Sequence, residues 1–223
     1  AIRCTVPTKA VARLALEAGF SEEQVVNTGI PVDPKIAELR DVDKRQIRTD
    51  LGWQEEPITI LVAGSPRIGS LMDILKSLDG SKHDVQFALV AGGNESLLKK
   101  FKSVSWQHPA HIYDFIDTMP KLMRAADMIL CKAGGLITTE SLASGLPMMV
   151  VEVIPGQEEG NLDYILEHEA GVHCKKPKCA LNDLEQWLED DQQLLKIAAK
   201  NAAQIGRPNA AFEIANLAWD LVK

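Results

Sequence analysis

No stretch of this 223-residue chain is apolar for long enough to span a bilayer. The longest candidate, Leu146 to Pro155, is interrupted by Glu152 and reads as a buried strand. Basic charge is also scarce: 24 Lys and Arg stand against 31 Asp and Glu, for a formal net charge of −7. A nucleic-acid partner, which needs a basic face, is therefore not expected. Nor is a polybasic anchor to an anionic membrane. No secretory signal, internal repeat or low-complexity tract is visible. The chain opens Ala1-Ile2-Arg3-Cys4 without an initiator Met, so it is expected to be part of a longer protein.

Cysteines are few: Cys4, Cys131, Cys174 and Cys179. Two of them lie in apolar, strand-like contexts and read as small core residues. The segment from His173 to Cys179 holds one His and two Cys but no second ligand pair at zinc-finger spacing. Lys175, Lys176 and Lys178 would also repel a cation there. Reduced thiols are the expected state, and no metal site is expected.

What the chain does have is short β-branched runs alternating with helical patterns, the mark of βαβ units and a parallel sheet. Strands are predicted at Ile58–Ala63, Val85–Ala91, around Ile112–Tyr113, at Met128–Cys131 and at Met148–Val151. Helices are predicted from about Ser70, around Leu97, Leu98 and Phe101, and at Met119–Ala126, Gly135–Ser144 and Asn161–Glu169. Successive helices follow, with Asn182 and Asn209 as N-caps. The fold class is α/β, a Rossmann-like doubly wound sheet whose ligands bind at the carboxyl ends of the strands.

A separate βαβ-like unit precedes the sheet: strand Ile2–Val6, helix Lys9–Ala18 and strand Val25–Thr28. It runs into Gly29-Ile30-Pro31-Val32-Asp33-Pro34, whose composition suits a hinge. Asp43 then caps a helix, with Gln46 in the capping-box position.

Three loops at strand ends carry the candidate chemistry. Lys132-Ala133-Gly134-Gly135-Leu136-Ile137-Thr138-Thr139-Glu140 joins a buried strand to a helix. Its glycines admit a ligand close to the backbone, and the first helical N–H groups can hold a diphosphate. Glu140, one turn on, can accept both hydroxyls of a ribose. On spacing alone, a tight turn with a dipole-favoured Glu fits equally well. Pro155-Gly156-Gln157-Glu158-Glu159-Gly160-Asn161 concentrates the polar side chains that a sugar needs, or that a capping loop needs. Gly64-Ser65-Pro66-Arg67-Ile68-Gly69 only loosely resembles a phosphate cradle.

Together these loops resemble the C-terminal domain of glycosyltransferase family 28, which takes in the peptidoglycan enzyme MurG and the diacylglycerol galactosyl- and glucosyltransferases. The resemblance runs over nearly the whole chain and is strongest from Asp114 to Gly171. It implies a GT-B fold in which Ile116, in Asp114-Phe115-Ile116-Asp117, meets uracil through its backbone. It assigns Gly134, Gly135, Leu136 and Ile137 to the diphosphate and Glu140 to the ribose. Gln157 and Glu158 would face the donor sugar, with Asn161 beside them. Gly64, Ser65 and Arg67 would contact phosphate, although the family is richer in glycine at that loop.

By the same resemblance, residues 1–33 are the last βαβ part of an acceptor domain with its hinge, and residues 34–223 are the UDP-sugar domain. The implied reaction is inverting hexosyl transfer from a UDP-sugar to a lipid such as diacylglycerol. The general base would come from the rest of the acceptor domain, and neither cofactor nor metal is required. His83, His108 and His111 lie outside the motif loops. The lipid, and any peripheral membrane contact, would be met through that same absent part, and the protein is expected to be cytoplasmic or peripheral on the cytoplasmic face of the membrane. Two alternatives stand beside this: a donor-binding subunit of a split transferase, and a UDP-sugar 2-epimerase-like enzyme.

Overall fold

The computed structural model describes residues 2–65 and 67–222. The N-terminal unit consists of β1 (Cys4–Val6), α1 (Lys9–Glu17) and β2 (Val25–Asn27). The two strands pair in parallel, Cys4 opposite Val25 and Val6 opposite Asn27. Thr8 starts α1 by accepting from Val11 N at 3.3 Å. No residue of α1 is buried, and Leu14 stands 61% exposed. Two helices of the connection follow, α2 (Lys35–Glu38) and α3 (Lys44–Leu51).

The main body repeats strand and helix: β3 (Ile58–Ala63), α4 (Leu71–Leu78), β4 (Val85–Val90), α5 (Glu95–Ser103), β5 (Ala110–Tyr113) and α6 (Met119–Ala125). It continues with β6 (Met128–Lys132), α7 (Gly135–Ala143), β7 (Met148–Glu152), α8 (Glu159–Glu167) and β8 (Gly171–His173). The chain closes with α9 (Pro177–Leu188), α10 (Gln193–Ile205) and α11 (Ala210–Leu221). Strands β3 to β8 form one parallel sheet in the order β5-β4-β3-β6-β7-β8.

Alternation along each strand divides the core in two. Ile60, Val62, Phe87, Leu89, Met128 and Leu130 pack on one face with Ile74, Leu75, Phe101 and Leu184. Leu61, Ala88, Val90, Ile129 and Cys131 pack on the other with Ile47, Leu122, Met123, Leu142 and Ile165. Burial on both faces is why these strands read as unbroken apolar runs.

The amino ends of the two central strands are fastened by one buried cation. Arg48, 4% exposed, donates from Nε to Ala125 O at 2.8 Å. Its Nη1 donates to Glu55 O at 2.6 Å and Pro57 O at 3.2 Å, and its Nη2 pairs with Asp127. Asp127 also accepts from Thr59 N and Lys44 Nζ, each at 2.7 Å. One ion pair thus joins α3, the C-terminus of α6 and the starts of β3 and β6.

Several local expectations are corrected. The sheet has a sixth strand, β8. Asn182 lies inside α9, which begins at Pro177 with Lys176 at the N-cap; proline at the first position set the start. Asn209 does occupy the cap of α11, but without a side-chain hydrogen bond. Asp43 caps α3 by accepting from Arg45 N, whereas Gln46 bonds Asp50 instead of closing a capping box. The helix expected at Asn161–Glu169 runs from Glu159 to Glu167.

Asp127→Ala would leave the Arg48 guanidinium buried without its carboxylate. The expected loss is about 3–5 kcal/mol in urea unfolding. Glu56→Ala, which removes the exposed Arg45–Glu56 pair, is expected to cost under about 1 kcal/mol.

Candidate functional site

From β3 the chain winds outward to β4 and β5, and from β6 it winds the other way to β7 and β8. The crevice therefore opens between the carboxyl ends of β3 and β6, where the strand order reverses. The loops after β3 and β6 face this crevice, flanked by those after β4 and β7, with the loop after β5 one strand further out.

Helix α7 starts at Gly135 with Gly134 as its N-cap, and no side chain caps it. The first intrahelical bond is Thr138 N to Gly134 O at 3.0 Å. The N–H groups of Gly135, Leu136 and Ile137 are thus the orphan donors of a helix start, with its positive dipole end behind them. Leu136 is 59% exposed, so the rim is open to a ligand. Glu140 lies one turn further in and is half-buried. Burial raises its carboxyl above the usual range, and the negative charge of Asp33 raises it further.

Lys132 stands beside this helix start, and the sequence reading gave it no role. Pairing of β6 with β7 slips between Cys131 and Lys132: Cys131 faces Val150, but Lys132 faces Glu152. The extra residue is Val151 on β7, and Lys132 Nζ forms an ion pair with Glu158. A Cβ at residue 134 would lie 2.7 Å from Lys132 Nζ and 3.6 Å from Glu158 Oε1. The Lys132 ammonium, at the end of a flexible side chain, is what a side chain at residue 134 would have to displace.

Of the two residues assigned to the donor sugar, Gln157 is exposed and Glu158 is 6% exposed. Both Glu158 oxygens are engaged, one by Lys132 and the other by Ile154 N at 3.1 Å. Asn161 reaches back to donate from Nδ2 to Ala133 O at 2.9 Å, tying α8 to the loop after β6.

After β3, Gly64 donates to Val90 O at 2.9 Å, and a Cβ there would lie 2.5 Å from that oxygen. Close packing on β4 accounts for this glycine. Ser65 Oγ accepts from Arg67 N at 3.3 Å, and Arg67 is exposed. Pro66, between them, lies outside the described residues. Ile116 sits half-buried in the loop after β5, packed against the core face of Leu122.

A groove of about 420 Å³ lies between the N-terminal unit and helices α7 and α8. Thr8, Val11 and Ile30 line one wall; Thr138, Asn161 and Arg207 belong to the other. The Thr138 hydroxyl is buried and has no hydrogen-bond partner. Sequence alone could not show it, because a threonine one turn into a helix carries no local signal of orientation.

The histidines stand apart from the motif loops. His83 and His108 precede β4 and β5, with His83 beside Glu185 at 3.4 Å and His108 against Ser81 O at 3.2 Å. His111 is tilted against Trp53, and burial lowers its pKa. Asp43, in the segment Asp41-Val42-Asp43, caps α3 through one carboxylate oxygen. Among the described residues, no three metal-ligating side chains converge at the crevice.

Residues 59–215 match the glycosyltransferase family 28 C-terminal domain, and the chain belongs to that family. It is 32% identical over 230 residues to the probable chloroplastic monogalactosyldiacylglycerol synthase of Nicotiana tabacum, covering 99% of this chain and 43% of that protein. The chain thus spans less than half the length of that relative. In fold it is similar to Neisseria meningitidis UDP-GlcNAc 2-epimerase bound to UDP-GlcNAc, with a TM-score of 0.71 at 18% identity, over 97% of this chain and 61% of that one. It is also similar to Anabaena HepE in complex with UDP-glucose, with a TM-score of 0.61 at 18% identity, over 99% and 64%. No helix among the described residues is long and apolar enough to cross a membrane.

The raised carboxyl of Glu140 has a stability consequence of definite sign. A carboxyl whose pKa is higher folded than unfolded favours the fold below its unfolded pKa and loses that contribution as pH rises through the folded value. Glu140→Gln is therefore expected to raise the melting temperature at pH 7. The gain should vanish on acidification below the ordinary carboxylate range, as read by calorimetric melting at both pH values.

Proposed function

We propose that this chain supplies the UDP-sugar site of an inverting glycosyltransferase that transfers a hexose to a lipid acceptor of the diacylglycerol type. The observation that carries the reading is the uncapped start of α7 at the strand-order reversal, with a half-buried carboxylate one turn behind it. Three free N–H groups match a diphosphate, and Glu140 matches the paired hydroxyls of a ribose. The likeness to monogalactosyldiacylglycerol synthases supports the lipid acceptor. The UDP-glucose complex of a fold neighbour supports the donor class.

In this reading the backbone at Ile116 receives uracil, and Gly135, Leu136 and Ile137 bind the diphosphate. Ser65 and Arg67 close over the phosphates from the β3 side. Gln157 reaches the sugar, while Glu158 acts by holding Lys132 beside the phosphate loop. A base on the acceptor-binding part deprotonates the acceptor hydroxyl, which displaces UDP with inversion at the anomeric carbon. The helix-start donors and Lys132 stabilise the charge that develops on the departing diphosphate. Neither a cofactor nor a metal is assigned a step.

The uncovered apolar surface of α1 supports the reading that the N-terminal unit belongs to a larger acceptor domain. The lipid and the membrane would be met there. A 2-epimerase reading has fold similarity alone behind it. It would predict conversion of a UDP-sugar to its epimer by the full protein without any lipid.

Calorimetry with UDP, UDP-Glc, UDP-Gal and UDP-GlcNAc tests the donor assignment. Binding of UDP is expected, and Glu140→Ala should weaken it by about 10-fold or more, the range for a charge-assisted hydrogen bond, while uracil is scarcely affected. A folded sample that fails to bind UDP at millimolar concentration would sink the proposal.

A further inference from the structure

Away from the crevice, three side chains converge where β8 gives way to α9. Cys174 follows the last residue of β8 and is fully buried. Cys179 lies in the first turn of α9, and Asp183 is one turn beyond it on the same helix face. The ligand atoms of all three lie within 4.8 Å of one another. Cys174 Sγ contacts Asp183 Oδ2, the two sulfurs are 3.1 Å apart, and Cys179 Sγ is 3.7 Å from Asp183 Oδ2.

We propose that Cys174, Cys179 and Asp183 form a clasp for a thiophilic divalent cation of the zinc class, with solvent at the fourth corner. Neighbouring ligands of a tetrahedral zinc, on bonds of roughly 2.0–2.3 Å, stand roughly 3.3–3.8 Å apart. The Cys179–Asp183 separation already meets this; the sulfurs need to part by less than about 1 Å, and the 2.5 Å contact of Cys174 with Asp183 must open by about 1 Å. Cys179 and Asp183 are half-exposed, which leaves the fourth position open to water.

The carboxylate separates this reading from a simple dithiol. It adds a third donor beside the two sulfurs, which a disulfide-forming pair would not need. A divalent cation bound there would deprotonate both thiols outright. Two thiolates, one carboxylate and a divalent cation leave a single negative charge. Lys175, Lys176 and Lys178 are exposed around it, so they offset that charge where the sequence alone suggested repulsion. The missing ligand was Asp183, four residues beyond Cys179 and nine beyond Cys174.

Such a clasp would fasten the edge strand to α9. Cys174 N also donates to Val150 O at 2.8 Å, so the brace extends to β7, from which the Gln157 loop departs. It is independent of the donor-site proposal, since its three residues lie at the end of β8 and on α9 and belong to none of the crevice loops.

The test is a titration of the reduced, chelator-treated protein with Co(II) in the absence of oxygen, followed by displacement with Zn(II). One-to-one uptake is expected, with thiolate-to-cobalt charge-transfer absorption, the intense visible bands of a tetrahedral ion and a higher melting temperature. Cys179→Ser and Asp183→Asn should each weaken uptake by at least about 10–100-fold, the loss typical of removing even an outer-shell partner. Should a variant fail to fold, the parent titration decides. A folded, reduced parent without the charge-transfer band would overturn the clasp. So would uptake unchanged in both folded variants, or a Cys174–Cys179 disulfide whose reduced form takes up no metal.

Discussion

A single buried guanidinium holds the centre of this fold. Arg48 ties α3, the end of α6 and the starts of β3 and β6 together through Asp127 and three backbone carbonyls. Burying one charge is tolerable only when its partners are all in place, so the amino ends of the two central strands have little freedom. Beyond their far ends the chain must leave in opposite directions, because β3 leads to β4 and β6 leads to β7. A crevice at that divergence follows from the connectivity, and the loops that line it can vary without loosening the strands beneath.

The parallel sheet was legible because its strands are buried on both faces. Ile58–Ala63 and Val85–Val90 show this as nearly unbroken apolar runs. β8 was not legible, since three residues reading Gly-Val-His carry no period and pair only along one edge. The start of α9 was misread because Asn182 is a good cap in isolation, while Pro177 had already fixed the helix five residues earlier. Such competition between two valid local signals is resolved only by packing.

The candidate site divides in the same way. The glycine-rich turn into α7 and the place of Glu140 follow from local spacing. The Lys132–Glu158 pair does not, because it spans 26 positions in the chain. Glu158, expected to face the donor sugar, has its two oxygens engaged by Lys132 and Ile154 N. Gly64 shows the opposite limit: its spacing resembles a phosphate loop, yet contact with Val90 accounts for the glycine without any ligand.

Helix α7 begins without a side-chain cap, and this bears on how long the protein survives as well as on what it binds. Ligand that binds only the folded chain shifts the folding equilibrium by mass action, by about 2.7 kcal/mol at 100 times its dissociation constant. That is a sizeable share of the roughly 5–15 kcal/mol that holds an ordinary domain together. An anion bound at this helix start would therefore behave as a removable part of the fold, and its loss would let more of the chain visit open states.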